Sequence, residues 1–150
     1  MKKLFYFVCV FSVALLISCS SNPSKKIIGT WKCNNAEFEN LEETINKALA
    51  SVPDSLKEIQ KKYMTDNIKN MTEEMKHVSM NFKEDKTFES IDDGKSDKGT
   101  WSISEDGKTL TTKGDGEGKE AKLNIEELSS SKLVLSIEDE GSKIKLSFQK

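Results

Sequence analysis

The chain has 150 residues, with 23 basic residues, all of them lysine, against 25 aspartates and glutamates, and a formal net charge of −2. That length suits one domain. A mildly acidic, arginine-free surface is a poor match for phosphate backbones, so nucleic acid is excluded as an expected partner.

Met1-Lys2-Lys3 is basic, and Leu4 to Ile17 is almost wholly apolar. This run is too short for a spanning helix, which needs roughly 20 residues, but it has the length of a secretory h-region. It ends Leu16-Ile17-Ser18-Cys19, which resembles the bacterial lipobox. The resemblance implies that residues 1–18 are a signal peptide removed by cleavage. Cys19 then becomes the first residue and carries two or three acyl chains, palmitate among them, which anchor the protein durably to a membrane. Ser20-Ser21-Asn22 lacks the acidic run associated with surface display in lipoproteins of Bacteroidetes. The expected place is therefore the cell envelope, on the outer membrane facing the periplasm, with surface exposure left open. Cleavage would leave 132 residues with 21 lysines against 25 acids. Cys9 leaves with the signal and Cys19 is acylated, so Cys33 has no partner within the chain and no disulfide framework is expected. Cys33 is read as a small buried apolar residue.

Residues 19–26, with Cys19 at their head, form a polar tether that holds a proline and shows no periodicity. From Ile27 to Cys33 the sequence alternates, with Ile27, Gly29, Trp31 and Cys33 on one face, which predicts a half-buried strand. Residues 36–76 change period and read as a helical insert. Leu41, Ile45, Ala48, Leu49 and Val52 recur at helical spacing after Asn40, a candidate N-cap, and Pro53 stops that helix. A second helix is expected from Asp54 or Ser55, with Ser55 and Glu58 at capping-box spacing. Its apolar stripe is read as Leu56, Ile59, Tyr63, Met64, Ile68, Met71, Met75 and Val78. About ten large side chains on the two helices are expected to dock on the domain or on a partner rather than remain in water.

From Val78 onward the period is two. The inward set is read as Val78, Met80, Phe82, Phe88, Trp101, Ile103, Leu110, Ala121, Leu123, Ile125, Leu133, Leu135, Ile137, Ile144, Leu146 and Phe148. Turn signals separate the runs at Glu84-Asp85-Lys86, Asp92-Asp93-Gly94, Glu105-Asp106-Gly107, Gly114-Asp115-Gly116, Ser129-Ser130-Ser131 and Glu140-Gly141. One strand before the helices and seven after, joined by short turns, predict a mainly β fold. It is an antiparallel up-and-down barrel of about eight strands over residues 27–150, with a two-helix insert between the first and second strands.

Gly29-Thr30-Trp31 opening the first strand, followed by a meander, resembles the lipocalins and the fatty-acid-binding proteins. Phe82-Lys83-Glu84-Asp85-Lys86-Thr87-Phe88, then Gly99-Thr100-Trp101 and Glu105-Asp106-Gly107-Lys108-Thr109-Leu110, is most similar to the lipocalin-like lipoproteins of Bacteroidetes. The resemblance implies a calycin-type barrel whose floor is closed by Trp31 and which binds a small hydrophobic molecule. It also implies an arginine over that tryptophan, which this chain lacks, and Trp101 is expected to cover Trp31 instead. The arginine and tyrosine carboxylate clamp of fatty-acid-binding proteins is likewise missing from the last strand, where Lys143 and Lys145 point outward in the expected register.

His77 stands alone, with no second histidine beside it for a metal and no nucleophile motif to serve, so neither catalysis nor a metal or other cofactor is expected. Asp92-Asp93-Gly94 and Asp115-Gly116-Glu117 lack the spaced oxygens of a calcium loop and read as turns. The Gly-Thr-Trp echo reads as two strands meeting one packing need. Trp31, Phe82, Phe88, Trp101, Leu123, Leu135 and Phe148 are the candidate barrel-interior or ligand-contact residues. An eight-stranded barrel is just wide enough either to be filled by such side chains or to hold one small ligand. Ile59, Tyr63, Met64, Ile68, Met71 and Met75 are the candidate helical lid. The expected function is a membrane-tethered, non-enzymatic carrier of a small hydrophobic or amphipathic ligand. Its rival is a solid-barrelled module that contacts or inhibits another envelope protein and leaves an apolar patch exposed on its helices.

Overall fold

The computed structural model describes residues 22–115, 120–139 and 142–150. The signal segment, Cys19, and the turn residues Gly116, Glu117, Glu140 and Gly141 lie outside them. Eight antiparallel strands close into a barrel in chain order: β1 (Gly29–Glu39), β2 (Ser79–Phe82), β3 (Thr87–Asp92), β4 (Lys95–Ile103), β5 (Thr109–Gly114), β6 (Glu120–Leu128), β7 (Lys132–Asp139) and β8 (Ser142–Gln149), with β8 returning to β1. A short helix α1 (Pro23–Lys26) precedes β1, and α2 (Leu41–Ala48) and α3 (Asp54–Met75) lie between β1 and β2. No described helix is long and apolar enough to cross a membrane.

The turns follow from their residues. Asp93 and Gly94 both have positive φ, 45° and 79°, which makes the β3–β4 connection a two-residue hairpin of the kind whose twist matches the strands. At the β2–β3 turn Lys86 is left-handed, and the Asp85 carboxylate accepts bonds from the backbone N–H and hydroxyl of Thr87 at 2.9 and 2.6 Å.

Four expectations are corrected between the N-terminus and the start of the long helix. Residues 23–26 are helical rather than shapeless tether: Asn22 Oδ1 accepts from Ser24 N at 3.0 Å and Pro23 stands in the first turn, where its missing N–H is harmless. The first strand continues past Cys33 to Glu39, taking residues 36–39 from the helical insert. A register shift between Cys33 and Asn35 resets the alternation, so Ala36 and Phe38 pair with the inward Leu146 and Ile144. Asn40 adopts φ 56°, ψ 29° and makes no side-chain cap bond. It turns the chain from strand to helix through the left-handed region, which asparagine tolerates. The Ser55 capping box is also absent, because α3 begins one residue earlier, after Pro53.

The core fills the end of the barrel where α1 lies. Ile27, Trp31, Cys33, Phe82, Phe88, Trp101, Leu110, Leu123, Leu133, Leu135 and Phe148 form one buried cluster. Trp31 is fully buried and its indole Nε1 donates to the Ile27 carbonyl at 2.6 Å. Trp101 does not cover Trp31. It packs edge-on against Phe82, with ring centroids 5.7 Å apart, and donates to the Lys83 carbonyl at 3.1 Å. The ammonium of Lys150, immediately after β8, lies over Trp31 instead.

The helices divide the work unequally. Ile45 and Leu49 of α2 are buried, and Ser142 Oγ meets Thr44 Oγ1 at 3.5 Å, tying α2 to the β7–β8 hairpin. α3 lies against β1 and α2 but buries no residue fully. The continuous docked stripe expected on it is two stripes. At 100° per residue, Leu56, Ile59 and Tyr63 lie about 120° around the helix from Met64, Ile68, Met71 and Met75. The methionine stripe is half-buried, whereas Leu56, Ile59 and Tyr63 are 46%, 69% and 68% exposed.

Candidate ligand-binding site at the barrel mouth

Opposite the sealed floor, the inward positions change character. The register of β2 to β5 aligns Met80 with Ser90, Phe88 with Gly99, Ser90 with Asp97, Trp101 with Thr112 and Gly99 with Gly114. The face that buries Phe82 and Trp101 lower down therefore presents Met80, Phe88, Ser90, Asp97, Thr112 and Gly114 higher up. These six line a pocket of about 640 Å³, with Ser96, Lys98 and Asp115 at its rim. Phe88 is its base, standing 6.3 Å from Phe82, centroid to centroid.

Across the barrel the same inward face is apolar. Leu133–Phe148, Leu135–Leu146 and Ile137–Ile144 pair across β7 and β8, and β1 adds Ala36 and Phe38 beside Leu146 and Ile144. Leu133, Leu135 and Phe148 are buried toward the floor. Ile137 retains 37% exposure, Ile144 and Leu146 are half-buried, and Ala121 is exposed. The lower end of the interior is thus filled by the buried cluster, and at the upper end a pocket opens along β2 to β5. The lining of that pocket carries hydroxyls and a carboxylate beside Met80 and Phe88, and the aliphatic pairs of β7 and β8 are not among its lining residues.

Charge is arranged to match. Lys98 lines the rim, but its ammonium is drawn toward Glu89, 3.8 Å away on the outer face. Lys143 and Lys145 point outward, as the sequence register has them, to Glu126 and to Glu39. Asp97 and Asp115 make no ion pair, and Ser90 and Thr112 no side-chain hydrogen bond, among the described residues. Cys33 lies 6% exposed in the core with its Sγ 3.4 Å from the Asn35 carbonyl, and burial pushes the thiol pKa up, which disfavours the reactive thiolate.

Of the residues singled out from sequence, Trp31, Phe82, Phe88, Trp101, Leu123, Leu135 and Phe148 all fall in the buried cluster, and Phe88 alone also lines the pocket. Ile59, Tyr63, Met64, Ile68, Met71 and Met75 lie on α3 and are not among the lining residues. The polar lining, Ser90, Asp97 and Thr112, was passed over because only apolar residues were followed along the inward parity. Extending Phe88 to Ser90, Trp101 back to Asp97, and Leu110 to Thr112 finds it.

A family model described as lipocalin-like domain matches residues 27–135. Among curated proteins there is no match. Among solved structures, a lipocalin-like protein from Bacteroides uniformis is 19% identical, with 83% of this chain and 98% of that one covered, at a TM-score of 0.48. A DUF4847 family protein from Bacteroides vulgatus is 20% identical, with 81% and 91% covered, at a TM-score of 0.47.

Proposed function

Because the chain belongs to the family of lipocalin-like domains, we propose that it is an envelope-tethered binding protein whose barrel mouth takes one small hydrophobic or amphipathic molecule. The family's fold is typically one for binding rather than catalysis. The observation that carries the reading is the open pocket at the barrel mouth, where the apolar Met80 and Phe88 meet Ser90, Asp97 and Thr112 above the buried core. A pocket of about 640 Å³ falls within the range that holds small ligands.

The tether belongs to the same proposal. Cys19 carries the lipid and places the protein on the periplasmic face of the outer membrane. Support comes from the lipobox and from the position of α1, whose Pro23 side chain lies beside Gly107 in the β4–β5 turn. That turn is at the floor end, so an anchor just before α1 leaves the mouth facing away from the lipid.

Binding is tested with N-phenyl-1-naphthylamine, whose emission rises in apolar surroundings. Wild type raises it, and Thr112→Trp, which fills the mouth, abolishes the rise while the melting curve stays cooperative. No emission rise with wild type would refute a ligand pocket. For the tether, Cys19→Ser moves the protein from the membrane to the soluble fraction, and a mutant that stays membrane-bound would refute it.

A second reading, contact with another envelope protein, is supported by one observation, the exposed row Leu56, Ile59 and Tyr63 on α3. Crosslinking from Ile59 in the intact envelope captures a protein under this reading. Wild-type crosslinks that persist unchanged after Leu56→Glu with Tyr63→Glu would dismiss it.

A further inference from the structure

We infer that the floor end of the barrel docks on an anionic phospholipid surface, with the lysines of α1 and of the floor turns set among the headgroups. The inference rests on the Cys19 tether proposed above and adds the surface onto which that tether lowers the barrel. α1 is fastened to the floor rather than hung from it. Pro23 lies beside Gly107, Lys150 Nζ donates to the Lys26 carbonyl at 3.0 Å, and Trp31 Nε1 donates to the carbonyl of Ile27, the next residue. Only residues 20 and 21 separate Cys19 from Asn22, the first described residue. The span from the lipidated cysteine to the docked helix is therefore at most about 11 Å. A barrel held that closely has its floor turns at the headgroup layer.

Charge at that end runs against the rest of the chain. α1, the β2–β3 and β4–β5 turns and the end of β8 bring together Lys25, Lys26, Lys83, Lys86, Lys108 and Lys150. The acids there are Glu84, Asp85, Glu105 and Asp106, and the β6–β7 turn adds only serines. The floor thus holds six of the 21 lysines that follow the signal segment but four of the 25 acids. It is net positive on a net negative chain, and an α-carboxylate at Lys150 does not reverse the sign. Among the described residues none of the six lysines is ion-paired, whereas ten lysines elsewhere are. Two of the four acids bond back into their own turns: Asp85 accepts from Thr87, and Asp106 from the Ser104 hydroxyl and the Lys108 N–H. Lys25 and Lys86 line an open pocket of about 570 Å³ with Asn22, Ser24, Ile28 and Glu84. A headgroup phosphate entering it meets two ammoniums, a hydroxyl and an amide against one carboxylate. At the mouth the β3–β4 hairpin carries Asp92 and Asp93 against Lys95, so the reverse orientation would press acids on an anionic surface.

The test uses the processed, acylated protein reconstituted in vesicles of phosphatidylcholine, alone or mixed with phosphatidylglycerol. A donor dye on Ser130→Cys in the floor turn, or on Ser96→Cys beside the mouth, reports energy transfer to a headgroup-labelled acceptor lipid. Cys33 is buried and stays unlabelled. Phosphatidylglycerol is expected to raise transfer from the floor dye and lower it from the mouth dye. High salt removes both changes, because surface charge acts only within a Debye length. Lys25→Glu with Lys83→Glu, both at exposed positions, is expected to lose the gain at the floor. Transfer that is the same in both lipids, or a floor gain that survives high salt, overturns the inference and leaves the tether standing. A gain at the mouth dye overturns it in favour of the reverse orientation. An intact mass without acyl chains sinks the tether and this inference together. The lipid and salt dependence of the two labelled proteins decides by itself should the double variant fail to fold.

Discussion

The ammonium of Lys150 lies 4.7 Å from the centre of the Trp31 ring and donates to the Lys26 carbonyl at 3.0 Å. It supplies the cation that the missing arginine was expected to supply, from the residue immediately after β8. Gly29 makes room for it: with φ at 123°, a Cβ there would stand 2.9 Å from Lys150 Cε. Lys150→Ala is therefore expected to cost about 1 kcal/mol through the lost cation–π contact and hydrogen bond. That lowers the melting temperature by roughly 3–6 °C, while Lys150→Arg keeps it. Trp31→Ala is expected to cost about 3–5 kcal/mol. Differential scanning calorimetry of the three variants checks the order, and a Lys150→Ala protein that melts with wild type would make the contact incidental.

The period-two pattern after Val78 made the barrel legible, because each inward residue is fixed by its neighbours two positions away. What escaped were the places where parity resets. The shift between Cys33 and Asn35 hid Ala36 and Phe38, and the one between Ile125 and Glu127 hid Leu128, which pairs with the buried Leu133. A bulge residue has no distinctive side chain, so nothing in the composition marks it. Asn22-Pro23 did mark the start of α1 and went unread. On α3 the periodicity told which residues share a face but not what lies opposite, so two stripes merged into one. The pocket's polar lining was legible in principle, since Ser90, Asp97 and Thr112 keep the inward parity.

The second Gly-Thr-Trp needs its glycine for a different reason. A Cβ at Gly99 would run into the Lys113 carbonyl oxygen of β5, which is backbone and cannot yield cheaply. Gly99→Ala is expected to cost about 3 kcal/mol or more, by forcing β4 and β5 apart. Gly94, with φ 79° and open space around its Cβ position, loses only conformational freedom, so Gly94→Ala costs about 1–2 kcal/mol. Urea midpoints in the reverse order would contradict the close approach.

The unequal burial of the helices sets another contrast. Ile45 is 1% exposed, and Ile45→Ala is expected to cost about 2–5 kcal/mol. Ile59 is 69% exposed, and Ile59→Ser is expected to stay within about 0.5 kcal/mol of wild type. Equal losses from chemical denaturation of the two variants would show that α3 docks its first half in solution.

The outer face of β6 to β8 predicts the response to acid. The bulge in β6 sets Glu126 over the fully buried Ser136, whose hydroxyl donates to Glu126 Oε1 at 2.8 Å, while Lys143 Nζ approaches the same oxygen at 2.7 Å. The hydrogen bond from Lys143, then that from Ser136, holds the Glu126 carboxyl below its ordinary value of 4.5. A carboxyl depressed in the folded state contributes stability that is fully present above its unfolded pKa and is lost as pH falls through the folded value. Below pH 4.5 the wild type should therefore lose stability more steeply than Glu126→Gln, which cannot titrate. At pH 7 the variant is the less stable of the two, since it retains the Ser136 bond but not the charge facing Lys143. Lys143 is itself raised by the same partner, and its contribution disappears only in strong alkali, outside the acid window. Melting temperatures of both proteins from pH 7 to pH 3 are expected to converge. Parallel curves would mean that the pair is dispersed by solvent and that acid acts elsewhere.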